Sequence, residues 1–284
     1  MNASRIVVVT GASGQQGGAT ARHLLASGWP IRILVRDPEK PTVLEFAAAG
    51  AEVVVGDMLD PSSLSRAFEG AHGVFSVQTW RGPGGVEAER REGFNVAQAA
   101  AEAGVVHLVY TSVAGADEAP ELAHFVSKRE IELRIAELGV PATVLRPTSF
   151  MDNLRWQAAG IREGRLVQGI KPETRLQMIA VDDIGALAAL AFGAPEAWIG
   201  KTVELAGDEL TMPEVAAIFS ARLGRTVTYV PEHEERPGCG TEAHRMAGWF
   251  DEHGYHADIA ALRAAYPPLK DLRRFVSEAE WLRG

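Results

Sequence analysis

The stretch that most constrains this chain is Ile6 to Gly28, IVVVTGASGQQGGATARHLLASG. Ile6 to Val9 form an unbroken apolar run rich in β-branched residues, the pattern of a parallel strand buried on both faces. Gly11, Gly14, Gly17 and Gly18 follow, and Ala19, His23 and Leu24 then recur at helical spacing until Gly28 closes the helix. In such a unit Gly11 permits the sharp turn off the strand. Gly14 lets backbone approach a pyrophosphate where a Cβ would collide, and Gly17 lets the helix pack close to the sheet. Unpaired N–H groups and partial positive charge at the helix start favour an anion there. A glycine-rich turn without a ligand is the alternative reading. The strand–turn–helix context favours a dinucleotide.

The second strand, Ile31 to Val35, ends on Arg36, with Lys40 four residues on. A carboxylate at this point accepts from the adenosine ribose, whereas an arginine pairs with a 2′-phosphate, so Arg36 and Lys40 predict NADP(H). A surface arginine without a ligand remains open, since Asp37 stands beside it. A helix through Phe46 to Ala49 precedes the third strand, Glu52 to Val55, which ends at Gly56-Asp57-Met58. Asp57 is placed either to accept from the adenine amino group or to form a plain turn. Asp60-Pro61 predicts a helix N-cap followed by proline at the first helical position.

The fourth strand is Gly73 to Val77, and the Gln78-to-Gly85 loop leaves the same sheet edge as the glycine turn. A helix from Val86 to Ala103 and a fifth strand, Val105 to Thr111, complete the alternation, which predicts a doubly wound parallel α/β sheet. His124 and Lys128 lie four apart on one face of the helix that ends near Gly139. Lys128 is either a ribose-binding cation or a solvated helical lysine. His124 is either catalytic or structural. Ala142 to Arg146 form the sixth strand, and the segment Thr148 to Asn153 leaves the sheet at the same end.

Beyond it the alternation breaks down. Leu176 to Val181 and Lys201 to Leu205 read as strands, Asp182 or Asp183 as the cap of a helix through Phe192, and Thr211-Met212-Pro213-Glu214 as a capping box. Thr226 to Val230 read as a strand and Thr241 to Glu252 as a helix. The expected division is a dinucleotide-binding domain over residues 1–153 and a smaller α+β lobe for substrate or partner over residues 154–284, some segments returning to the sheet.

With 284 residues, 46% hydrophobic, the chain can bury a substantial core, and a net charge of −9 argues against a broad nucleic-acid or anionic-membrane surface. The single cysteine, Cys239, excludes an internal disulfide and suits a reducing compartment. Residues MNASR lead directly into the first strand, and no apolar run nears the ~20 residues of a membrane span. The expectation is a soluble cytoplasmic protein, monomer or homodimer, with no metal, no direct nucleic-acid contact and no membrane association. Trp80, Phe150, Trp156 and Trp249 either line an aromatic pocket or pack internally.

Taken in order, TGASGQQGG, VVVGDMLDPSSL, HFVSKREIE, LRPTSFMDNL, VDDIG, GKTVELAGDELTMPEV and GWFDEHGY followed by EWL resemble the NmrA-like family of atypical short-chain dehydrogenases/reductases, in particular the branch that contains the human NADPH sensor HSCARG. The resemblance implies a Rossmann-type fold. It also implies cofactor contacts at Gly11, Ser13, Gly14, Gln15, Gln16, Gly17, Arg36, Lys40, Asp57, Met58, Gln78, Thr79, Lys128, Ser149 and Phe150, with Arg91 a weaker transfer. The wider superfamily uses a Tyr-x-x-x-Lys pair in which the phenol donates a proton and the lysine lowers its pKa. Here His124 stands where the tyrosine would be. The literal match Tyr266/Lys270 is interrupted by two prolines and cannot be a regular helical turn. The serine partner is either Ser112 or displaced by Val113. Two functions follow from the resemblance: an NADPH-dependent reductase of quinones or other small carbonyl compounds, with Lys128 and His124 as catalytic candidates, or a catalytically silent sensor that reports the NADPH/NADP balance to a protein partner.

Overall fold

In the computed structural model, which describes residues 5–231 and 241–282, the buried apolar run becomes β1 (Val7–Thr10), one residue later than its sequence suggests. Ile6 stays at its margin, accepting from the His72 amide at 2.8 Å. Alternation then holds: α1 (Gln15–Ala26), β2 (Ile31–Val35), α2 (Pro41–Ala48), β3 (Glu52–Val55), α3 (Pro61–Phe68), β4 (Gly73–Ser76), α4 (Gly85–Glu102), β5 (His107–Thr111), α5 (Ala123–Glu137) and β6 (Ala142–Pro147). After these come β7 (Ser149–Phe150), a 3-10 turn at Met151–Gln157, α6 (Ala158–Arg162), β8 (Arg165–Gln168) and β9 (Arg175–Ile179). The chain continues as α7 (Val181–Gly193), α8 (Pro195–Trp198), β10 (Thr202–Leu205), β11 (Asp208–Thr211), α9 (Met212–Leu223), β12 (Thr228–Pro231), α10 (Thr241–Glu252), α11 (Ile259–Ala265) and α12 (Leu272–Glu278). Cys239 lies outside the described residues.

The main sheet has seven strands in the order β10-β6-β5-β4-β1-β2-β3. Val7 pairs with Ile31 on one side and with Gly73 on the other, both in parallel. Because β1 through β6 run the same way, every βα turn emerges at one edge. The order reverses between β1 and β4, which opens the crevice characteristic of a doubly wound sheet. Val8, Leu64, Phe68, Val74, Leu108 and Ile131 are buried in the core under one face.

Two compact units divide the chain: Met1–Arg146 with Val181–Val203, and Pro147–Ala180 with Glu204–Gly284. In the first, α7 returns to lie against α1. A Cβ on Gly185 would come 2.5 Å from the Ala19 carbonyl carbon and 2.7 Å from the Thr20 amide nitrogen, so a bare glycine sets that helix spacing. Since α7 begins at Val181, Asp182 and Asp183 sit in its first turn rather than capping it, and Asp182 meets His23 of α1 at 2.9 Å. The other capping expectations hold. Asp60 accepts from the Ser62 amide at 3.0 Å, and Thr211 and Glu214 form a reciprocal capping box on α9.

The second unit holds a three-stranded sheet, β11-β9-β7, and a two-stranded one, β12-β8. Asp208 pairs with Met178 antiparallel, while Thr228 pairs with Arg165 in parallel. Trp249, 2% exposed, packs edge-on to Phe250 and Tyr255. No helix among the described residues is long and apolar enough to cross a membrane.

Candidate functional site

The crevice is built by backbone geometry at the end of β1. Gly11 adopts φ +63°, and a Cβ there would meet the Val77 Cγ1 at 2.7 Å. Gly17 is more constrained still, because its Cβ would lie 2.3 Å from the Gly11 carbonyl oxygen and 2.6 Å from that of Thr10. The first turn of α1 therefore presses directly on the strand end. Gly14 is the extended N-cap of α1, contributes no side-chain cap, and is followed by no acidic residue in the first turn. The leading N–H groups of a helix lack intrahelical acceptors, and here no side chain neutralises them. Ser13, Gly14 and Gln15 are exposed around this point. The buried Oε1 of Gln16 has no hydrogen-bond partner among the described residues.

The neighbouring strand ends bring the other candidates to the same edge. Arg36 follows β2 directly, and Lys40 is the N-cap of α2; both are exposed. Asp57, two residues past β3, is held by its backbone, with its amide donating to Ser63 Oγ at 3.0 Å, while its carboxylate accepts from the Leu59 amide at 2.8 Å. Met58 accepts from Asn95 Nδ2 at its carbonyl, 3.0 Å, and from Gln78 Nε2 at its sulfur, 3.6 Å. Gln78, two residues past β4, also donates to Ser76 Oγ at 3.0 Å, and its buried Oε1 lacks a partner among the described residues. Thr79 is exposed and accepts from the Arg81 amide at 3.3 Å. Arg91 is exposed on α4.

Lys128 and His124 occupy the buried face of α5. Lys128 is only 9% exposed and donates to Glu89 Oε1 of α4 at 2.9 Å, while Ser127 Oγ donates to Glu89 Oε2 at 2.5 Å. Glu89 itself is fully buried. His124 is 6% exposed, its ring 4.9 Å from Trp80 on one side and 4.9 Å edge-on to Phe125 on another. Arg81 lies over Trp80 at 4.8 Å. Ser112 is buried just past β5, and Val113 is half-buried.

A second charged set, buried except for Asp117, is centred on β6. Arg146 of β6 donates to Glu132 at 2.8 and 2.9 Å and to Asp117 at 2.9 and 3.1 Å. Burial alone would depress that guanidinium, but hydrogen bonds with Glu132 and Asp117 outweigh it and hold the group above its ordinary range. Tyr110 of β5 is wholly buried. Desolvation, reinforced by the Glu89 and Glu132 charges, raises its phenol well above the usual value.

The sequence reading missed Glu89 and Glu92. Their signal lay in GVEAERREGFNVAQAA, where Glu89, Gly93, Val96, Ala97 and Ala100 recur at helical spacing and are all buried. A charge on an otherwise apolar stripe needs a buried partner. Burial pushes the Glu92 carboxyl up to about 7; Asp57 repels its charge and Arg36 partly offsets the effect.

Ser149 and Phe150 form β7 of the second unit, paired with Met178 and Ile179. Trp156 is 74% exposed with Arg155 over its ring at 5.5 Å. Tyr266 caps α11, and Lys270 pairs with Glu278 at 2.9 Å. No group of three or more His, Cys, Asp or Glu suited to a metal occurs among the described residues.

A dinucleotide fits the residues present in the first unit: a glycine cradle, an uncapped helix start, unpartnered Gln16 and Gln78 oxygens, and two cations past β2. Comparison with known proteins agrees with this geometry. A (4-alkanoyl-5-oxo-2,5-dihydrofuran-3-yl)methyl phosphate reductase of Streptomyces griseus is 34% identical over 93% of this chain and 82% of its own length. An NAD(P)H azoreductase of Xenophilus azovorans is 31% identical over 79% of this chain and 76% of its own. The crystal structure of an NADPH-dependent quinone oxidoreductase of Escherichia coli complexed with NADPH superposes with a TM-score of 0.82 at 26% identity, covering 96% of this chain and 98% of that one. Residues 3–267 match the NmrA-like family, and to that family the chain belongs.

Proposed function

We propose that this NmrA-like oxidoreductase binds NADP(H) in the crevice between β1 and β4 and reduces a quinone or another small, electron-poor carbonyl compound. The observation that carries the reading is the uncapped start of α1, with Gly17 pressed against Gly11 and Arg36 set directly beyond β2. The relatives' names, which include an NAD(P)H azoreductase and a quinone oxidoreductase, support the reaction class. The bound nicotinamide supplies a hydride to the substrate.

The chain supplies the binding and the charge. Amides at the start of α1 take the pyrophosphate, and Arg36 with Lys40 takes the 2′-phosphate. Asp57 and the Gln78 oxygen, which has no partner among the described residues, accept from adenosine donors. Lys128, with one of its three N–H groups on Glu89, keeps two for ribose hydroxyls. His124 lies beneath Trp80, so a substrate whose reduced oxygen takes its proton from water suits this site better than one that needs a strong protein acid.

Fluorescence titration with NADPH and NADH tests the cofactor. Arg36→Asp should weaken NADPH binding roughly tenfold or more and NADH far less, since a charge-assisted hydrogen bond is worth about 1.5–3 kcal/mol. Equal losses would refute the 2′-phosphate assignment. Lys128→Ala should slow NADPH consumption on a quinone and aldehyde panel, and an unchanged rate would remove Lys128 from the site.

The burial of His124 favours a second reading, a module that reports its cofactor state to a partner. Pull-downs that return the same proteins with and without NADP(H) would count against it.

A further inference from the structure

A fully buried carboxylate facing a nearly buried ammonium is expensive, because removing each ion from water costs several kcal/mol and an apolar pair would join the two helices as well. Glu89 and Lys128 are such a pair, 2.9 Å apart. The backbone is arranged to permit it. Four residues beyond Glu89, one turn along α4, Gly93 faces Ile131 of α5, where a Cβ would stand 2.4 Å from the Ile131 Cδ1. Ile131 is itself one turn beyond Lys128. The missing side chain thus draws α4 onto α5 at the spacing the short Glu89–Lys128 bond requires. Ser127 Oγ holds the second Glu89 oxygen, which fixes the carboxylate's plane.

The Glu89 charge is felt by Tyr110 of β5 and Glu92 of α4, and Tyr110 also feels Glu132 of α5. Glu132 is already matched by Arg146 and Arg129. Lys128 is the cation bonded to Glu89 among the described residues.

We propose that Glu89 is a positioning residue for the reduction, holding the Lys128 ammonium aimed so that its two remaining donors meet the nicotinamide ribose; this rests on the reading of Lys128 given above.

The test combines Glu89→Gln, Glu89→Asp, Lys128→Met and the double variant Glu89→Gln/Lys128→Met. Each is assayed for kcat, KM and NADPH affinity by fluorescence, with thermal melting to verify folding. Glu89→Gln should lower kcat about tenfold or more, as expected for a displaced catalytic group, while NADPH affinity changes less than about threefold. Glu89→Asp, which keeps a carboxylate for Lys128, should restore part of kcat. In the Lys128→Met background Glu89→Gln should cost nothing further.

The double variant removes both charges together and so keeps its fold even where Glu89→Gln alone does not. In that case Glu89→Asp carries the test, with kcat lowered, NADPH affinity within about threefold of the parent, and no further loss in the Lys128→Met background. NADPH affinity that falls in step with kcat in Glu89→Gln, or an equal further loss in the Lys128→Met background, would overturn the proposal and leave Glu89 as a staple between helices. Unchanged turnover in Lys128→Met would instead overturn the assignment of Lys128 itself.

Discussion

Glu92 is a carboxyl whose ionisation the folded state resists. Burial raises it first, the Asp57 charge adds to the rise, and Arg36 offsets part, leaving it at about 7 against an ordinary 4.5. Between those two values the folded chain keeps a proton that the unfolded chain has released. The cost of ionisation is therefore absent below pH 4.5, grows as pH rises, and is complete above 7. Glu92→Gln should melt like the parent at pH 4.5 and higher than it by pH 8, by roughly 1–2 kcal/mol once solvent screening of this half-buried group is allowed for. Calorimetry at a series of pH values checks this, and a difference that does not vary with pH would contradict it. His107 has the opposite sign. Burial, with His72 nearby, holds its imidazole down to about 4, so stability lent by the neutral ring is lost as pH falls from 6.5 toward that value. Thr143 Oγ1 donates to the Trp198 carbonyl, which leaves His107 Nε2 as the donor to Thr143 at 2.8 Å.

At the scale of the element, the contact between α4 and α5 turns on one glycine. Ile131 is wholly buried, and a Cβ on Gly93 would approach three of its side-chain carbons at 2.4, 2.5 and 2.9 Å, so no single rotamer change clears the space. Gly93→Ala should gain helix propensity worth up to ~1 kcal/mol and lose about 1–3 kcal/mol to overpacking, for a net loss of stability and a stretched Glu89–Lys128 bond. Chemical denaturation measures the first, and a fall in turnover parallel to that of Glu89→Gln reports the second. A variant as stable and as active as the parent would show that the helices part freely. Elements whose signal is local were readable from sequence. The glycine turn at Gly11, the Asp60-Pro61 start of α3 and the Thr211–Glu214 box each specify their own backbone. What escaped was tertiary. The short strands β8 and β11 owe their pairing to distant segments, Val181 rather than an aspartate opens α7, and Glu89 in a charged run looks solvated until α5 covers it. The edge of the crevice was legible because strand ends in a parallel sheet line up. The ion pair behind Lys128 was not, because burial belongs to no residue alone.

At the scale of the whole molecule, the sheet-bearing unit is discontinuous, since Val181–Val203 completes what Met1–Arg146 begins. α7 covers α1 at Gly185, and β10 closes the edge beside β6 with Val144 donating to the Lys201 carbonyl at 2.9 Å. A fragment ending at residue 153 lacks both. It should expose the Ala19–Thr20 face and the β6 edge, melt without a cooperative transition, and fail to bind NADPH. Circular dichroism and fluorescence check this, and a sharp melting curve with intact cofactor affinity would refute it. The ribosome meets the same arrangement in time. At about 5–20 residues per second, α1 and its neighbours emerge well before residues 181–203 are translated, and roughly 2–7 seconds of synthesis separate Arg146 from Val181. Throughout that interval the nascent sheet waits with one helix face uncovered and one edge unpaired.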